Sequence, residues 1–174
     1  MKQAALILKA YRKEAGRLSG GFEKEPVSIL VTGEIYTSIE SAANQNLEEL
    51  LMLMGCSVRR PVTVSWWMRH TLKTALTTSS RPKNRYLPYS IGGYARETVE
   101  EMADAGEDGI IQIMPAGCMP EIVAKAASNV LAEERSSRIL HLVFDEMQGT
   151  AGYETRVEAF VDMLERRKRV FSGN

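Results

Sequence analysis

Cysteine is scarce in this chain: Cys56 and Cys118 are the only two among 174 residues. That is too few for a secreted scaffold stapled by disulfides and fits a reducing compartment. Histidine is equally scarce. His70 and His141 lack the tight pair spacing of structural zinc, which takes about four nitrogen or sulfur ligands. Any metal held here therefore needs ligands from elsewhere. Charge of one sign is also missing, because 22 basic side chains balance 22 acidic ones. No long-range field gathers phosphate backbones or anionic lipid, so neither nucleic acid nor membrane is an expected partner. No apolar run approaches the roughly 20 residues that span a bilayer. The first apolar stretch, flanked by Lys2 and Lys9, precedes no small-residue cleavage site. The expected location is the cytoplasm. Phosphate-binding glycine patterns and the GxSxG elbow are absent too, which leaves nucleotide hydrolysis and serine-hydrolase chemistry without support.

What is present is the composition of one globular core, 44 % hydrophobic and 25 % charged. Gln3 to Leu18 carries Ala4, Leu6, Ile7, Leu8, Tyr11, Ala15 and Leu18 in a helical pattern that stops at Ser19-Gly20-Gly21. It reads as a docking helix. A start on a helix, with no strand before it, is what a boundary inside a longer protein leaves. The chain is thus expected to be a piece of one, with residues 1–25 as helix and linker and 26–174 as the α/β domain.

Pro26 opens Val27-Ser28-Ile29-Leu30-Val31-Thr32-Gly33, a β-branched run of the kind a parallel strand covered on both faces requires. Leu47 to Met54 is helical and stops at Gly55, and Val58 to Val64 is a second expected strand. Trp66-Trp67-Met68 reads as a buried helical turn, followed by loop chemistry at Ser79-Ser80-Arg81-Pro82-Lys83-Asn84. Tyr94 to Ala105 is the next helix. Gly109 to Met114 is a third strand halted by Pro115, Pro120 to Glu134 a helix with proline in its first turn, and Ile139 to Phe144 a fourth strand. Thr155-Arg156-Val157-Glu158 has the form of a capping box that starts a last helix, running to about Arg169. Strands separated by helices predict a three-layer α/β fold: an open parallel sheet of about four strands, flavodoxin-like or Rossmann-like.

In such sheets ligands bind beyond the carboxyl ends of the strands, where strand order reverses. Three loops qualify: Gly33-Glu34-Ile35-Tyr36-Thr37, Pro115-Ala116-Gly117-Cys118-Met119-Pro120, and Asp145-Glu146-Met147-Gln148-Gly149-Thr150. The second is the sharpest, since Cys118 stands where a helix begins. The partial positive charge and free N–H donors there suit a sulfur that ligates iron or reacts. The plainer reading is a small apolar residue filling a strand-to-helix corner. Cys56, inside an apolar approach, is expected in the core. Glu34 and Tyr36 are candidates to hydrogen-bond a ligand at the first strand end, and Asn44 and Asn46 from the next loop. For the asparagines helix capping is the plain alternative. Asp145 and Glu146 are candidates for cation binding or acid–base work, but adjacent side chains diverge and a turn acid capping local backbone is the simpler role.

Four segments occur in a telling order: Gly33-Glu34-Ile35-Tyr36; Asn44-Gln45-Asn46-Leu47; Met114-Pro115-Ala116-Gly117-Cys118-Met119-Pro120-Glu121; and Thr155-Arg156-Val157-Glu158-Ala159-Phe160-Val161-Asp162. With Phe144-Asp145-Glu146 and Gly149, and over roughly Val27 to Arg167, the chain resembles the 2-hydroxyacyl-CoA dehydratase and benzoyl-CoA reductase family. The likeness is to its activator-related members, the CoA enzyme activase subgroup. The resemblance implies an oxygen-sensitive protein carrying a [4Fe–4S]-type cluster that receives low-potential electrons from an ATP-dependent activase and passes them to an acyl-CoA. On that analogy Cys118 is the one cluster ligand present, with Glu34, Tyr36, Asn44 and Asn46 lining the same cleft. Such clusters take three or four cysteines. The others are expected on an absent amino-terminal domain, so the chain by itself is expected to bind no cluster and to catalyse nothing. Two readings of other classes stand beside this one: a non-catalytic binding or regulatory α/β module, and a thiol redox enzyme using Cys118 alone.

Overall fold

The computed structural model of the chain describes residues 25–76, 84–89, 91–145 and 149–172. The helix expected over Gln3–Leu18, most of the loop from Ser79, and Glu146 to Gln148 lie outside them. The element order is β1 (Ser28–Gly33), α1 (Ile35–Ile39), α2 (Leu47–Leu53), β2 (Ser57–Arg59), α3 (Val64–Leu76), α4 (Ala95–Ala103), β3 (Gly109–Pro115), α5 (Met119–Arg135), β4 (Ile139–Phe144) and α6 (Thr150–Ser172).

The four strands form one sheet in the order β2-β1-β3-β4, and all three pairings are parallel. This is the expected three-layer, flavodoxin-like arrangement. Side chains alternate across a strand, so β1 sends Ile29 and Val31 to one face and Leu30 and Thr32 to the other. On the first face Ile29, Val31, Ile111, Ile113, Leu142 and Phe144 pack with Leu47 and Leu51 of α2 and with Tyr153, Val157, Phe160, Val161 and Leu164 of α6. Cys56 belongs to this cluster, as expected. On the second face Leu30 and Ile110 meet Met102 of α4 and Leu131 of α5. Ala95, Val99 and Ala124 join the two helices over Leu87.

Local detail departs from the sequence reading in four places. The second strand is only three residues long, and Val64 opens α3 instead of ending β2. The tryptophan turn is helical but only partly buried: Trp66 is half-buried with its ring 6.1 Å from that of Tyr94, whereas Trp67 is 41 % and Met68 61 % exposed. A short helix, α1, occupies part of the loop after β1. The last helix begins five residues before the expected capping box. Thr155 therefore lies inside it and donates its hydroxyl to Ala151 O at 2.9 Å, one turn back, rather than to an orphan N–H. Among the described residues no helix is long and apolar enough to cross a membrane.

Candidate functional site

From β1 the chain moves outward to β2, then returns to place β3 on the other side of β1. The switch point thus lies between the carboxyl ends of β1 and β3, and two of the three expected loops meet there. They are held close by backbone. Glu34 N donates to Ile113 O at 3.0 Å, and a Cβ on Gly33 would stand 2.0 Å from that same oxygen. With φ at +136°, Gly33 is a position only glycine fills.

Glu34 is the N-cap of α1. Its carboxylate accepts from Tyr36 N at 3.0 Å, and from Thr37 N and the Thr37 hydroxyl at 2.7 Å each. Both oxygens are therefore engaged by local structure. Asn44 is buried and likewise committed: its amide donates to Thr37 O at 2.8 Å and its carbonyl accepts from Leu47 N at 3.1 Å, joining α1 to α2. For both residues the structure assigns the capping role. Tyr36 is 66 % exposed at the lip. Asn46 is a left-handed N-cap, φ 55°, whose side chain makes no capping bond. Asn44 and Asn46 border a small cleft of about 160 Å³ with Ser38 and Arg60, and neither Cys118, Glu34 nor Tyr36 is part of its wall.

Cys118 is the N-cap of α5, half-buried, with a thiol that makes no capping hydrogen bond. Gly117, at φ +79°, turns the chain into that corner, and Cys118 N donates to Pro115 O at 3.3 Å. Ala116 N donates to Phe144 O at 2.8 Å, continuing the ladder to β4. In the third loop Asp145 is exposed.

Beneath this lip runs a polar row that the sequence reading missed. Parallel register places Thr32 beside Gln112 and Gln112 beside His141, across three strands on the α4/α5 face. Gln112 is fully buried. Its Nε2 donates to Glu121 Oε2 at 2.8 Å and to Glu121 O at 3.1 Å, which only the NH₂ end of the amide satisfies. Its Oε1 must then accept, so His141 Nδ1, 2.7 Å away, carries the proton. The Thr98 hydroxyl donates to the other oxygen of Glu121 at 3.0 Å, and Thr32 donates to Glu101 Oε2 at 2.5 Å. The available signal was one polar letter inside each apolar run, Gln112 in β3 and His141 in β4.

Burial sets the electrostatics of the row. It pushes the Glu121 carboxyl up; hydrogen bonds from Gln112 and Thr98 pull against this, and the charges of Glu34 and Glu97 add to it. Burial likewise raises Glu101, opposed by the Thr32 hydroxyl and Arg59 and reinforced by Glu97 and Glu121. His141 is pushed down to about 4 by burial, then by Lys125 and Arg156, and is neutral at pH 7. The switch point therefore presents a half-buried thiol corner above a buried polar layer.

Among the described residues no group of three or more His, Cys, Asp or Glu side chains is placed to hold a metal ion. Cys56 packs on the α2/α6 face and does not join Cys118 at the lip. The described residues thus supply at most one thiolate at the lip, fewer than the three or four that a cluster takes. No family model matches the chain, and no curated protein matches it.

Proposed function

We propose that this chain is an α/β domain that lends Cys118 as a single ligand to a [4Fe–4S]-type cluster, in a protein related to the 2-hydroxyacyl-CoA dehydratases and CoA enzyme activases. The remaining thiolates come from a facing domain of the same protein, electrons from an ATP-dependent activase, and the acceptor is an acyl-CoA. The observation that carries this reading is the place of Cys118: at the switch point, at the first residue before a helix, half-buried and with its sulfur unspent. Two cysteines left free are consistent with a cytoplasmic, reducing setting.

A bound cluster supplies a low-potential one-electron carrier whose potential follows net charge, hydrogen bonding and exposure. The chain's own residues would position it: Gly117 and the Glu121 anchor set the corner that carries Cys118, and Tyr36 and Met119, each 66 % exposed, are the large side chains in the two loops beside it. Anaerobic reconstitution of the assembled protein with ferrous iron and sulfide tests this. Cys118→Ala should lose iron and the visible charge-transfer absorbance, while Cys56→Ala keeps both. A cluster indifferent to Cys118, or no iron uptake by the assembled protein, overturns it.

A second reading, a non-catalytic binding or regulatory module using the same lip, is favoured by the commitment of Glu34 and Asn44 to capping. It predicts that Cys118→Ala leaves iron content unchanged.

A further inference from the structure

At the opposite, amino-terminal edge of the sheet a cleft of about 530 Å³ opens between the start of β3, the end of α5 and the last turns of α6. Four cationic side chains line it, Arg135 and Arg138 from one side and Arg167 and Lys168 from the other, against two carboxylates, Glu107 and Asp108. Both carboxylates are already engaged. Glu107 forms a two-pronged ion pair with Arg59, whose guanidinium holds its carboxyl below the usual range. Asp108 accepts from Ser28 N at 2.8 Å, from the Ser28 hydroxyl at 3.0 Å and from Lys168 Nζ at 3.0 Å.

Arg135 and Arg138 are exposed and have no ion-pair partner among the described residues. Arg167 reaches across the cleft, donating to Ser136 O at 3.4 Å. Guanidinium near the end of α5 is favourable to that helix. A helix terminus does not account for a concavity within the size range of small-molecule sites, with cations arriving from two helices and a loop. Two guanidinium groups with no ion-pair partner among the described residues suit a doubly charged partner, and the planar guanidinium fork matches phosphate oxygens two at a time.

We infer that this cleft is a binding site for a phosphorylated small molecule, with Arg135 and Arg138 as its charge-assisted donors. The site is separate from the Cys118 lip and independent of any cluster. The cleft rather than an open basic face, together with the balanced overall charge, argues for a small ligand over nucleic acid.

The test is titration of the full chain with inorganic pyrophosphate by isothermal calorimetry at constant ionic strength, with inorganic phosphate and sulfate as comparison anions. Saturable pyrophosphate binding is expected, weakened about tenfold or more in Arg135→Ala/Arg138→Ala, a loss expected on removing charge-assisted donors. Both side chains are exposed, so the variant should fold, and its circular dichroism checks that it does. Arg85→Ala, outside the cleft, should bind like wild type. No saturable binding, binding unchanged in the double variant, or equal loss in Arg85→Ala overturns the inference.

Discussion

Gln112 on β3 holds Glu121 on α5 twice through one nitrogen, at 2.8 Å to the carboxylate and 3.1 Å to the backbone carbonyl. This grip ties the first turn of the helix that follows Cys118 directly to the middle of the sheet. Removing it leaves a buried carboxylate one donor short. Gln112→Leu should therefore cost about 2 kcal/mol, the usual penalty for an unsatisfied buried group. Glu121→Gln keeps an acceptor for either neighbour and should cost less. Urea unfolding midpoints of the two variants check the order.

Gly33 is the second fixed point. A methyl group there meets Ile113 O, and the backbone holds a φ that side chains rarely adopt. Gly33→Ala should destabilise the fold by about 2–4 kcal/mol, from strain plus overpacking. Gly55→Ala has open space around its Cβ and carries only the conformational cost of φ +76°. A smaller drop in thermal midpoint for Gly55→Ala than for Gly33→Ala is the expected result.

The polar row gives stability a pH dependence of two opposing signs. His141 is depressed from 6.5 to about 4 in the fold, so the native state binds fewer protons in that window. Its contribution is present above pH 6.5 and lost as pH falls toward 4. Glu101 and Glu121 are raised, so their contribution is present below 4.5 and lost as pH rises through their folded values. His141→Asn should therefore gain on wild type as the solution is acidified, and Glu101→Gln as it is made more alkaline. Unfolding midpoints measured across that range separate the two.

The two thiols should differ in reactivity. Cys56 is buried in the apolar cluster, and burial first, then the charge of Glu165, pushes its thiol up to about 11. Cys118 is half-buried at the lip. Iodoacetamide at neutral pH should label Cys118 in the folded chain and reach Cys56 only after denaturation. Peptide mass spectrometry distinguishes this from equal labelling.

Much of the fold was legible because its signals are local. Val27 to Gly33 is rich in β-branched residues around the apolar Ile29-Leu30-Val31, and such a run has few alternatives to a covered parallel strand. The helix after Cys118 was marked by Pro120. The misplaced start of α6 has the same origin: Thr155 and Glu158 have the spacing of a capping box, but Tyr153 is buried against Phe144, their rings 5.5 Å apart, and packing carried the helix back past them. Of the candidate site, Cys118 was readable from its punctuation. The roles of Glu34 and Asn44 were not, because the same side chains serve a ligand or a backbone N–H equally well.

The residues by themselves determined the alternation of strand and helix and the corner that carries Cys118, since hydrophobic period, glycine and proline act within a few positions. Only the tertiary structure decided which polar side chains meet. Thr32 finds Glu101 69 residues away, and Gln112 finds His141 29 residues away. The first distance is bridged by the packing of α4 on the sheet and the second by strand order and register, collective properties of the packed fold that are written in no single segment.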